Sequence, residues 1–217
     1  MGNRLSAITG KMFKFGLREL ILFIMTACLP LMAGPAIAGQ NVNFLYHPTA
    51  LGSGGSGDIY LSQSIHPVSG RPQVEWIIGG TMNGAGEKTG NVVTGRPPVD
   101  ALMDAFSQEL KAAGYSVIPV EVLPDGVAKG IRLTTVSIRL DEVDKIYKVE
   151  AKCTVKLSLG VWRNGMEIKK LDYESSYENT TLLDREMILL KAEQMALEQV
   201  MARAVRDAIL LIEQKKM

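Results

Sequence analysis

Histidine and cysteine are nearly missing from this chain of 217 residues, which has two of each. So few cysteines cannot staple a disulfide scaffold, and the four residues together do not supply a Cys/His zinc fold. An excess of charge of one sign is missing as well. Lys and Arg number 24 against 23 Asp and Glu, a formal net charge of +1. That balance excludes an acidic or basic disordered chain, and also a nucleic-acid binder that relies on a positive field. What is there is 47% hydrophobic and 22% charged. This is globular composition for one domain with a short extension.

The first 19 residues carry Arg4, Lys11, Lys14 and Arg18 against Glu19 alone. An uncharged run of 14 residues follows, Leu20 to Ala33. It is shorter than the roughly 20 apolar residues that span a bilayer. A basic start, an apolar run of this length and then Pro35-Ala36-Ile37-Ala38 form the secretory pattern. Ala36 and Ala38 are the small residues a signal peptidase needs, which sets a cut after Ala38. A second route lies inside the same segment, since Met25-Thr26-Ala27-Cys28 resembles a lipobox whose Cys28 becomes lipidated. Both routes export the chain, to the periplasm or, if lipidated, to the periplasmic face of the outer membrane.

Residues 1–38 are therefore expected to be a signal peptide and residues 39–72 a flexible segment rich in Gly, Ser and Pro. Leu51-Gly52-Ser53-Gly54-Gly55-Ser56-Gly57 is linker composition, with one short strand conceivable at Asp58–Ser64. Residues 73–217 form the domain. Val74 to Ile78 reads as a strand, followed by a Gly-rich loop over 79–95. Pro97-Pro98 opens a helix whose Val99, Leu102, Met103, Phe106, Leu110 and Ala113 share a face, and Gly114 stands where a C-terminal cap belongs. Tyr115–Val120 is a strand.

Three long strands come next. Ile131 and Leu133 alternate in one phase and Val136, Ile138 and Leu140 in the other, so a bulge is expected at Thr134-Thr135. Val149 to Val161 alternates without a break, and Asn164-Gly165 is a type I′ hairpin turn. The returning strand slips phase at Lys169-Lys170. A helix over about 183–214 closes the chain, with Leu190, Leu197, Met201, Ala204, Ala208 and Leu211 as its inner stripe. The fold class is α+β. An antiparallel sheet of about four to five strands carries two helices on one face, in the order strand, helix, strand, three-stranded meander, helix.

No motif carries chemistry. Gly84-Ala85-Gly86-Glu87-Lys88-Thr89-Gly90 looks like a phosphate loop, but Glu87 places a negative charge where phosphate would sit and no helix starts before Pro97. His47 and His66 lack ligand-spaced partners, and Cys153 falls on the inward phase of its strand with no histidine in the domain to activate it. Asp141, Glu142 and Asp144 are expected to be solvated at a hairpin, and Met187, Met195 and Met201 to fill core. Lys169-Lys170 and Lys215-Lys216 are too sparse for a nucleic-acid patch. No catalytic, cofactor or metal residue is assigned.

Phe106 to Val117, closing a helix onto a strand, and the hairpin Val161 to Tyr177, ending in Tyr173-x-x-x-Tyr177, precede the long C-terminal helix. In this order and spacing, residues 73–214 resemble the YajG-type bacterial lipoproteins of the cell envelope. Where that family's lipobox is followed by polar residues, this chain has Leu29-Pro30-Leu31. The resemblance implies an envelope protein with no assigned activity. The export signal, the tether-like segment and the lack of a catalytic constellation point to a non-enzymatic protein that binds an envelope protein partner and touches the membrane only through a lipid on Cys28. The alternative is an auxiliary lipoprotein of an envelope ABC or lipid-transport system, holding a hydrophobic ligand between sheet and helices. The intact mass of the protein from a fractionated bacterial host checks the export reading. The expected mass begins at Gly39 in the periplasmic fraction or at a lipid-modified Cys28 in the membrane fraction, and a mass that still includes Met1 overturns both.

Overall fold

Residues 148–163 alternate apolar and polar side chains, and they form the strand that pattern predicts, with Ala151, Cys153, Val155, Leu157, Leu159 and Val161 buried on one side. A computed structural model describes residues 40–44, 46–49, 54–64, 75–182 and 185–214. In chain order the elements are β1 (Gln40–Asn41), β2 (Asp58–Gln63), β3 (Trp76–Asn83), β4 (Lys88–Thr94), α1 (Pro98–Ala112), β5 (Ser116–Val120), β6 (Lys129–Lys145), β7 (Lys148–Arg163), β8 (Met166–Thr181) and α2 (Arg185–Glu213). The leader with Cys28 and Ala38, His66 and the Lys215-Lys216 tail lie outside the described residues.

The meander β6–β7–β8 follows the sequence closely. Asn164 and Gly165 take φ of 51° and 78°, the left-handed pair a type I′ turn requires. The register of β6 on β7 shifts between Leu133 and Thr135, so Thr134 is the bulge. The second slip falls at Ile168, slightly before Lys169-Lys170, because Val161 faces Lys169 and Trp162 faces Glu167.

The sheet is larger than the expected four or five strands and is mixed. All eight strands among the described residues belong to it. The edge of β6 away from β7 is divided between two parallel neighbours, β2 beside Gly130–Leu133 and β3 beside Glu142–Asp144. β5 lies parallel on the far side of β2, β4 antiparallel on β3, and β1 parallel on β4. Within residues 39–72, the short strand read at Asp58–Ser64 is β2, and it belongs to the sheet. Ile59 and Leu61 of β2 are buried between two strands, and that burial outweighs the linker composition on either side. Gly55 is part of the reason, since a Cβ there would stand 2.4 Å from the Tyr115 ring, and its amide donates to the Ala113 carbonyl at 3.0 Å.

The expected loop over 79–95 is likewise a hairpin. Gly79 permits it by lying against β6, where a Cβ would come within 1.7 Å of the Leu140 carbonyl oxygen. The Asn83 side chain builds the turn, accepting from the amides of Ala85 at 3.0 Å and Glu87 at 2.9 Å. Residues 84–87 thus close the turn, and Lys88–Gly90 already belong to β4.

α1 starts after Pro97 and ends in a Schellman cap. Gly114, at φ 108°, donates to the Lys111 carbonyl, and Tyr115 donates to that of Leu110. α2 lies on β7 and β8 and touches α1. Its buried stripe runs through Leu189, Ala192, Ala196, Val200 and Ala204, with Leu190 and Leu211 at its borders and Met187 exposed. Leu102 and Phe106 of α1 join one core with Leu189 of α2 and the inner residues of β6 and β7, while Lys152 and Lys156 on the other face of β7 are exposed. Both helices therefore cover one face. Gly79→Ala is expected to lower stability by about 2 kcal/mol or more, because backbone must move to admit the methyl group. A urea midpoint unchanged by the substitution would show that β3 is not held against β6.

Candidate functional site

β8 is the structure's longest unpaired edge. Its 16 residues pair with β7 alone among the described residues. Such an edge offers backbone donors and acceptors to another strand unless it is guarded. The first half is guarded by Glu167, Lys169, Lys170, Asp172 and Glu174. Arg203 of α2 also reaches the edge and donates to the Glu174 carbonyl at 2.5 Å. That bond shows that the Glu174 backbone points away from β7. By the two-residue period, the backbones of Ser176, Glu178 and Thr180 face outward too. The second half, Ser175–Thr181, carries Glu178 as its single charge, and the Asn179 side chain accepts from the Thr180 amide at 2.9 Å, which occupies that outward donor.

The inner side of β8 is fixed by polar contacts with α2. The Tyr173 hydroxyl donates to Asp207 at 3.0 Å, and the Ser175 hydroxyl donates to Gln199 Oε1 at 2.7 Å. Burial and the Asp207 carboxylate raise the Tyr173 hydroxyl well above its ordinary range. The free edge is thus the rim of a rigid two-layer structure.

Behind this edge lies a buried acidic layer. Glu193 of α2 is 1% exposed, and its Oε1 has no hydrogen-bond partner among the described residues. Burial pushes its carboxyl up to about 8 from an ordinary 4.5. Cys153 on β7 is fully buried, and burial together with the Glu193 charge pushes its thiol up to about 12. It is a small core residue and a poor nucleophile. Glu142 is also buried, contrary to the solvated hairpin charge expected. It follows Ile138 and Leu140 on the inward phase of β6, and that alternation was the signal for it. Asp141 points the other way and binds Arg139 at 2.6 Å and the Gly80 amide at 3.2 Å, while Asp144 is exposed. Glu193 sits midway between Leu189 and Leu197 on one helix face, a position that already marked it as inward.

Other clusters tie the frame together. Glu109 of α1, buried, accepts from the Tyr46 hydroxyl at 2.7 Å and the Thr49 amide at 2.7 Å, which clasps residues 46–49 to the helix. Glu213 accepts from Lys129 at 2.6 Å and the Tyr115 hydroxyl at 2.7 Å, joining the end of α2 to β6. His47 is exposed and lies in neither cluster, and Lys169 and Lys170 are exposed on β8. Among the described residues, no group of three or more His, Cys, Asp or Glu is placed to hold a metal ion. No described helix is long and apolar enough to cross a membrane.

No protein-family model matches the chain, and no curated protein matches it. Among solved structures it is similar to a DUF330 protein from Xanthomonas campestris, at 12% identity and a TM-score of 0.47, over 81% of this chain and 95% of that one. It is also similar to a minor lipoprotein from Acinetobacter baumannii, at 10% identity and a TM-score of 0.32, over 69% of this chain and 93% of that one. At these scores the likeness is one of coarse shape.

The folded chain holds the Glu193 proton to about pH 8, whereas the unfolded carboxyl releases it near its ordinary 4.5. Between these values the folded state binds the extra proton, so stability falls as pH rises through the window. Glu193→Gln is expected to remove that slope and to stabilise the protein at pH 8 by on the order of 3 kcal/mol. Urea unfolding at pH 5 and pH 8 checks it, and an equal loss at both pH values would show that Glu193 is charged in the folded chain.

Proposed function

We propose that this chain is an exported, non-enzymatic protein of the bacterial cell envelope, of YajG type, that works by holding another envelope protein. The partner adds a strand to the edge of β8 along residues 175–179. The observation that carries this is the asymmetry of that edge, charged and capped by Arg203 in its first half and nearly uncharged in its second. β-augmentation needs outward backbone groups and no like charges opposite, and Ser176 and Glu178 offer the first while the single charge of that half supplies the second. The leader supports export, to the periplasm after a cut behind Ala38 or to the outer membrane through a lipid on Cys28.

The same geometry weighs against the auxiliary-lipoprotein role with a ligand held between sheet and helices. Leu102, Phe106, Leu110, Leu157, Leu159 and Leu189 fill that layer, all below 2% exposed. A hydrophobic ligand would have to displace them. Cofactor, metal and nucleic acid have no part in the proposed activity.

A photo-crosslinking side chain at position 178, in cells expressing the full chain, is expected to give one discrete adduct with an envelope protein. The same probe at the buried Ser175 gives none. Ser176→Pro removes an outward amide while leaving the β7 bonds intact, so the fold stays and the adduct from position 178 is lost. An adduct that survives this proline, or no adduct at any outward position, overturns the strand-addition reading.

A further inference from the structure

Two turns stand side by side at one end of the sheet, residues 84–87 between β3 and β4 and Ile146-Tyr147 between β6 and β7. Asn83 is in register with Asp144, and a Cβ on Gly84 would lie 3.5 Å from the Asp144 carbonyl oxygen. Leu182 joins them, because Thr181 is in register with Val149. The side chains there are apolar and bare: Ile146 is 90% exposed, Tyr147 84% and Leu182 73%. With Ala85, Lys145 and Lys148 they line an open groove of about 640 Å³.

Folding does not ask for these residues. Tight turns favour Gly, Asn, Asp and Ser, and an aliphatic and an aromatic side chain at a turn bury nothing in this domain. The composition fits a bilayer–water boundary instead. A tyrosine ring is amphipathic and settles at headgroup level, and lysine stems lie along apolar surface with the ammonium in water. Lys145 and Lys148 both bind Glu150, at 2.6 and 2.7 Å, so the positive charge beside the apolar tip is partly offset. Attraction to lipid would then come from apolar insertion more than from a field.

The path of the chain selects lipid as the occupant. β1 is parallel to β4, with Gln40 opposite Val92, four residues from Lys88 at the turn. At about 3.3 Å per residue Gln40 stands about 13 Å from the level of Lys88, where the turn ends. β1 runs away from that turn, so its start faces the apolar end. The preceding sequence contains the apolar run Leu20–Ala33 and Cys28. Twelve residues separate Cys28 from Gln40, about 40 Å at full extension. A lipid on Cys28 would be joined to the domain through the start of β1, at this end.

We infer that Ile146, Tyr147 and Leu182 insert at the surface of a lipid bilayer, so that the domain rests on the membrane by this end. The contact does not depend on a partner at β8, and its failure would leave that reading standing.

The full chain, extracted from membranes of an expressing bacterium and reconstituted into vesicles of phosphatidylethanolamine and phosphatidylglycerol, tests it. Tyr147→Trp places an indole at the tip. Native Trp76 and Trp162 lie toward the other end of the sheet, opposite Thr94 and Gly130, and serve as the internal reference. Brominated acyl chains are expected to quench the introduced indole and to leave the emission of the unsubstituted chain unchanged. Adding Ile146→Asp, which touches no core residue, is expected to abolish the quenching and to weaken the tip's partitioning about tenfold. An introduced indole that stays unquenched while the chain remains with the vesicles overturns the inference, and the tip then faces protein or water. Quenching that survives Ile146→Asp in a normally melting chain also overturns it.

Discussion

Strand β6 holds three neighbours on two edges. β7 pairs along its whole length, from Lys129 opposite Arg163 to Lys145 opposite Lys148, while β2 and β3 divide the other edge between them. The bulge at Thr134 makes this workable. Without the extra residue, the phase set by Ile131 and Leu133 would carry Thr135, Ser137 and Arg139 toward the helices. With it, Ile138 and Leu140 face inward and Arg139 reaches solvent. A bulge also bends its strand and increases the local twist. Two parallel strands can then meet one edge at separate places, and the β3–β4 hairpin and the β2–β5 pair hang on that bend.

Legibility in the sequence followed solvent exposure. β7 and β8 have a wet face, so alternation shows in every second residue, and Asn164-Gly165 marks their turn. α1 announced both ends through Pro98 and Gly114. β2 matched the short strand read at Asp58–Ser64, but its place inside the sheet was unmarked, and the β3–β4 hairpin had no such marks. Ile59-Tyr60-Leu61-Ser62 is short and has a strand on either side, and parallel pairing leaves no hairpin turn beside it. Gly79 and Gly80 read as loop because they have no side chain to pack, and a missing side chain is what the close approach to Leu140 requires. Composition alone cannot separate a glycine that frees the chain from one that lets two strands touch.

The candidate site was legible only in part. The free edge of β8 depends on which strand ends the sheet, and a sequence pattern does not state that. Glu142 was readable as buried and still passed for surface charge, although it shares a phase with Leu140, and Glu193, which shares a face with Leu189 and Leu197, went unread. Their setting explains why burial dominates at Glu193. Ala192, Ala196, Ala204 and Ala208 bring α2 close against the sheet and leave little room for solvent around the carboxyl. Glu109 shows the other solution, a buried carboxyl that accepts hydrogen bonds from Tyr46 and Thr49. Glu193 is accommodated by keeping its proton, which gives stability a pH dependence between about 4.5 and 8.

Charge along β8 is graded, and the gradient has a direction. Glu167 to Glu174 occupy the half beside the Asn164-Gly165 turn, and the lightly charged half runs on to Thr181 and Leu182 at the end where Ile146 and Tyr147 are exposed. A strand added to that half would therefore lie next to the apolar tip. The start of β1 faces the same end, and this follows from its parallel pairing with β4 rather than from how the leader is processed. An edge that must stay unpaired has reason to carry charge along all its length. Here charge is withheld from the part nearest the proposed membrane surface, where a partner held on the same bilayer would meet it in two dimensions instead of three.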